Sequence, residues 1–168
     1  MEVIIMSAEI IRPNECVVCN FCCRFTDVNL WDVPLFTEGQ KAMYPEISFQ
    51  RYGMLWTPVL SKTQDYYICP FWEINSGCKH KIESKPFDCY WWPLCFMKKD
   101  SKIIITLYED CQATKREQLL AMLRERPNMV LETCEVYPDY VREYQEGYEI
   151  VFEYRDKQLI PYKDGHNA

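Results

Sequence analysis

Residues 16 to 23 read CVVCNFCC, four cysteines in eight positions. At Cys-x2-Cys spacing two thiolates converge on one metal centre, with backbone NH groups directed at the sulfurs. Cys16, Cys19 and Cys22 take that step twice in succession, as the first ligands of a bacterial ferredoxin run do. Structural zinc sites more often use two separated pairs. The spacing therefore predicts an iron–sulfur centre, favoured as [4Fe–4S], with zinc as the alternative and a fourth ligand from afar. Cys23 adjoins Cys22. Adjacent side chains in an extended segment point to opposite faces, so Cys23 either serves a second centre or is a buried small apolar residue.

Four distal cysteines suit the remaining positions: Cys69, Cys78, Cys89 and Cys111. Cys69 precedes Pro70, a step that often closes a ferredoxin-type set, and is the first candidate to complete the Cys16–Cys19–Cys22 centre. Cys78 follows Gly77, which permits a tight ligand loop, and Cys111 sits just past the strongest strand. The expectation is one or two all-cysteine centres, with the distribution of distal thiols between them left open. Cys95, within WWPLCFM, and Cys134 are read as structural. His80, two residues after Cys78, is a candidate ligand or a donor behind one. Six lysines between 78 and 102, against Glu83, Asp88 and Asp100, are either partners for an anionic centre or a solvated face.

Positioning these groups falls to a chain of 168 residues, 48% hydrophobic, expected to form one domain over 1–168 without needing disulfides. A net charge of −6 argues against nucleic acid as a partner. The opening MEVIIMSAEII lacks a basic n-region, and no run is long enough to span a bilayer, so neither a leader nor a membrane span is expected. The reading is cytoplasmic, where ten cysteines are metal ligands or catalytic thiols rather than a disulfide framework.

Strands are expected at 2–6, 9–12, 54–60 and 64–69, and a short helix within LFTEGQKAMY, capped by Thr37 with Gln40 reciprocating. Residues 69–95 read as irregular, broken by Pro70, Gly77, Pro86 and Pro93. KIIITLYE at 102–109 is the clearest strand and 114–126 the clearest helix. That helix is capped by Thr114 and Glu117, striped by Leu119, Leu120 and Leu123, and ended by Pro127. A weaker helix is expected over 131–146, then a closing hairpin turning at Asp156–Lys157. The fold class is α+β: a small single domain of short strands and two to three helices, its irregular cysteine-rich middle wrapped around metal.

CVVCNFCC, CPF, GC, KPFDCYWWP and YEDC, in that order, resemble the YkgJ-type cysteine-cluster family, the CxxCxxCC zinc- or iron-chelating domain, over residues 16 to about 111. The resemblance implies metal binding at Cys16, Cys19, Cys22, Cys23, Cys69, Cys78 and Cys89, and more weakly at Cys111. Asn20 stands where the family has glycine, Lys85 and Tyr90 where it has arginines, and Gln112-Ala113 where it has Pro-Gly. One relative, a flagellin lysine N-methylase, joins such a cluster to methyl transfer.

Three functions compete: a metal-binding protein in redox, cluster handling or chelation; a structural-zinc binding module; and an S-adenosylmethionine-dependent protein- or peptide-modifying enzyme. The five glycines form no GxGxxG, which weighs against a Rossmann-type cofactor site. Whether the chain is an enzyme, and whether it has a protein or peptide partner, is left open. It is expected to be a monomer or small homo-oligomer.

Overall fold

The computed structural model describes residues 23–26, 33–73, 75–80, 85–108, 111, 116–125 and 140–163. They form an α+β fold in which strands predominate, arranged as two compact units, the first up to Tyr90 and the second from Trp91 onward.

In the first unit, β1 (Arg24–Phe25) lies antiparallel to β5 (Tyr67–Ile68), whose other edge takes β4 (Ser61–Lys62). Helix α1 (Glu38–Ala42) starts at the expected cap. Gln40 N donates to Thr37 Oγ1 at 3.2 Å, and Thr37 N donates to Gln40 Oε1 at 2.9 Å. Two donors that a five-residue helix would leave exposed are thereby satisfied. Thr37→Ala is expected to destabilise the protein by about 1 kcal/mol, seen as a melting temperature about 2–4 °C lower.

A hairpin follows, β2 (Phe49–Tyr52) with β3 (Leu55–Pro58). The stretch read as irregular holds a second one, β6 (Trp72–Glu73) with β7 (Gly77–Cys78). Its turn takes left-handed backbone at Asn75 (φ 68°) and Gly77 (φ 76°), residues that tolerate that region. Helix α2 (Phe87–Trp91) comes next. It is clipped back onto the start of α1, because Leu35 N donates to Asp88 Oδ2 at 2.8 Å and Gln40 Nε2 to Lys85 O at 3.1 Å.

The second unit is built on a five-stranded sheet, β10 (Arg142–Glu143), β8 (Leu94–Lys99), β9 (Lys102–Tyr108), β11 (Tyr148–Arg155) and β12 (Gln158–Pro161) in spatial order. β8 and β9 turn at Asp100–Ser101, and β11 and β12 at the expected Asp156–Lys157. All four residues have positive φ, the pattern of a two-residue hairpin turn matched to strand twist. Helix α3 (Arg116–Glu125) buries Leu119, Leu120 and Leu123, as its sequence period requires. In β9, Ile104, Ile105, Thr106 and Leu107 are buried in succession, so both faces of the strand's middle are covered.

Two expectations are corrected. The stretch 69–95, read as irregular, holds β6, β7 and α2, and at its end Leu94 and Cys95 already belong to β8. The weaker helix over 131–146 gives way at its C-terminal end to β10, parallel to β8 with Arg142 opposite Met97, and Tyr144 N donates to Lys98 O at 2.9 Å. The sheet edge offers these residues the backbone partners a helix would have supplied. The expected strands at 2–6 and 9–12, residues 131–139, Thr114 and Pro127 lie outside the described residues. Among the described residues, no helix is long and apolar enough to cross a membrane.

Candidate metal centre

Cys23 immediately precedes β1 and Cys69 immediately follows β5, so the antiparallel pairing of Arg24 with Ile68 brings the two together. Cys69 N donates to Cys23 O at 3.0 Å. The chain then doubles back through Pro70, with Trp72 N donating to Cys69 O at 3.0 Å, and the β6–β7 hairpin sets Trp72 opposite Cys78. Cysteines far apart in sequence thus meet around one core. Cys69, 6% exposed, belongs to a buried cluster with Phe25, Val33, Phe36 and Phe71, and Cys23 and Cys78, half-buried, pack against it.

His80 belongs to the same aromatic assembly. Its ring lies 3.9 Å from that of Phe71 and 5.5 Å from that of Phe36, centroid to centroid, and meets Tyr44 edge-on at 4.9 Å. Nδ1 is 2.7 Å from the Tyr44 hydroxyl. Burial, with the Lys85 ammonium adding to it, pushes the imidazole pKa down to about 4, so the ring is neutral at pH 7. Among the described residues its Nε2 is buried without a hydrogen-bond partner, as are Trp72 Nε1 and Thr57 Oγ1 in the same unit. A buried unsatisfied polar group costs about 1–3 kcal/mol. Neutral imidazole nitrogen binds metals, and an indole NH can donate to sulfur. An imidazole nitrogen and an indole NH are donor types that a thiolate-bound metal could use.

The other sequence-expected residues fall in three places. Cys89 is half-buried on α2, and among the described residues it is not part of the Cys69 cluster. Cys111 lies in the second unit, where its NH donates to Tyr108 O at 3.5 Å. Cys16, Cys19, Cys22 and Cys134 lie outside the described residues, and among those described no three His, Cys, Asp or Glu side chains gather at metal-binding distance. Cys95, read as structural, sits on β8 opposite Thr106, whose hydroxyl donates to Cys95 O at 3.2 Å. Among the described residues, two of the lysines between 78 and 102 make surface ion pairs: Lys79 with Glu73 at 3.3 Å and Lys102 with Glu153 at 3.1 Å. Such exposed pairs contribute about 0–1 kcal/mol, as expected of a solvated face.

Tyr44 and Trp72 are the residues that the sequence did not single out. Tyr44 lies just past α1, and nothing in the spacing ties it to a histidine far along the chain. Trp72 carried a weak signal, standing three residues after the Cys-Pro step. No family model, no curated protein and no solved structure matches the chain, so a reading of its function rests on these residues themselves.

Proposed function

We propose that the protein binds metal through its cysteine thiolates, in one or two centres, with [4Fe–4S] favoured over zinc, and serves redox, cluster handling or metal chelation. The observation that carries this reading is the arrival of Cys23, Cys69 and Cys78 at one aromatic core that also holds an orphaned imidazole nitrogen. Cys22, the last residue of the double Cys-x2-Cys run, is joined directly to Cys23, so the densest thiol segment adjoins that core in the chain. The ordered resemblance to the CxxCxxCC family supports the same ligand set, with Cys89 in it and Cys111 more weakly. A bound cubane would supply one-electron transfer or a labile metal store, whereas zinc would only fasten the loops. The residues around the thiols would do the rest. Phe36, Phe71 and Tyr44 exclude water, and the Trp72 NH is available to a sulfur.

Iron, zinc and acid-labile sulfide, measured on protein purified without oxygen, test this reading. About four iron and four sulfide per centre, with a brown colour, are expected. Zinc without sulfide would favour the structural-zinc module. A colourless chain with neither metal would overturn the proposal.

A further inference from the structure

We propose that Cys23 and Cys69 are a redox pair that closes into a disulfide across the first sheet, so that oxidation and metal compete for the same two sulfurs. The bridge rests on the fold, and only the competition rests on the metal-binding reading above. β1 and β5 run antiparallel, with Arg24 opposite Ile68 and Phe25 opposite Tyr67. One step further out Cys23 stands opposite Cys69, where Cys69 N donates to Cys23 O at 3.0 Å. Cys23 ends a 3₁₀ turn, so register alone does not set where its side chain points. Burial does. Phe25 and Cys69 are buried in one cluster, Cys23 and Tyr67 pack against it, and Arg24, between Cys23 and Phe25, is exposed. That alternation puts both thiols on the core side of the sheet. Residues directly opposed in an antiparallel pair have Cα atoms about 4.5–5.5 Å apart, within the span of about 4.4–6.8 Å that a disulfide bridges. Cys78 packs against the same cluster from β7, which pairs with β6 and not with β1 or β5.

The two thiols differ in access, since Cys23 is half-buried and Cys69 is buried. Cys23 is therefore the sulfur that a peroxide reaches. Its thiolate attacks one oxygen of hydrogen peroxide, the O–O bond breaks, and a sulfenic acid and one water result. The Cys69 thiolate then attacks the Cys23 sulfur. The S–S bond forms as the S–O bond breaks, and the departing hydroxide takes up a proton to leave as a second water. The pair gives up two electrons and two protons, and the peroxide is reduced to two waters. A dithiol returns the electrons and reopens the pair by exchange. Metal is held by thiolates, so a closed bridge withdraws two donors from the centre.

Mass spectrometry on the full chain tests the pair. The reduced protein is freed of metal with a chelator, treated with one equivalent of hydrogen peroxide, and digested without reductant. A loss of two hydrogens is expected, with fragmentation placing the link between Cys23 and Cys69, and dithiothreitol should reverse it. Cys23→Ser and Cys69→Ser should each lack this link, and Cys78→Ser should keep it. Zn2+ added beforehand should slow its formation about tenfold or more, because bound metal occupies the sulfurs. No link in the unaltered chain, or one joining other cysteines, would overturn the pair. Equal rates with and without Zn2+, in a chain that binds Zn2+, would overturn the competition and leave the bridge. A chain that takes up no metal yet closes the Cys23–Cys69 bond would overturn the metal-binding reading alone.

Discussion

Cys69→Ser is expected to remove about half of the bound metal and to lower the melting temperature of the loaded protein by about 10 °C. Cys69 is almost fully buried, its NH is held by Cys23 O, and it belongs to the first unit's core. Oxygen for sulfur barely changes the volume, so the loss would come from the weakened centre. A site loaded a thousandfold above its dissociation constant stabilises the fold by about 4 kcal/mol. For a chain of this size, each kcal/mol is worth about 2–4 °C. Chelation separates this cause from packing. Once both proteins are stripped, the difference should shrink to the cost of a buried hydroxyl, about 1–3 kcal/mol. Cys95→Ala is the control: its thiol is half-buried on β8 in the second unit, so full metal content and a loss of about 1 kcal/mol are expected. Unchanged metal in Cys69→Ser, or lost metal in Cys95→Ala, would redraw the ligand set.

The sequence announces its local devices and conceals its long-range ones. The Thr37–Gln40 box, the leucine stripe of α3, the β-branched run of β9 and the Asp156–Lys157 turn each need only neighbouring residues, and each stands where it was expected. β8 reads LCFMKK, with no β-branched residue. It is a strand because β9 and β10 flank it, and central position overrides weak propensity. β10 is more extreme: Arg142 and Glu143 have no strand character of their own, and their partners lie more than forty residues earlier. The two-residue strands β6 and β7 are too short to show any period, and of the residues around their turn only Gly77 was read as a breaker.

The site divides along the same line. Cysteine identity and spacing could be read directly, because ligand chemistry is written in residue type. That Cys23 and Cys69 are backbone partners could not be read, because it depends on the pairing of β1 with β5. His80 could be named from its place two residues after Cys78, but its setting could not. That setting is a tyrosine hydroxyl thirty-six positions earlier and a set of aromatic rings.

Cys23→Ser and Cys19→Ser are expected to lose different halves of the metal, and the double variant all of it. Eight thiols in the family-like set suffice for two centres of four ligands. By sequence alone the division falls at the Cys22–Cys23 junction; Cys23 itself lies in a 3₁₀ turn just ahead of β1. The fold bears on how the distal thiols would be shared. Cys69 is the backbone partner of Cys23 and packs against the same cluster as Cys23 and Cys78. This favours grouping Cys69 with Cys23 rather than with Cys16, Cys19 and Cys22, where the Cys-Pro step alone would have put it. Cys69→Ser and Cys23→Ser should then abolish the same half, and combining them should cost no more metal than either alone. Cys19→Ser should remove the other half, and only its combination with Cys23→Ser or Cys69→Ser should leave the chain empty. Metal counting on the anaerobically purified variants decides. Occupancy equal to one centre in the unaltered chain, unchanged by Cys23→Ser, would rule out the two-centre arrangement. Two centres with additive losses for Cys69→Ser and Cys23→Ser would keep the count and overturn the grouping.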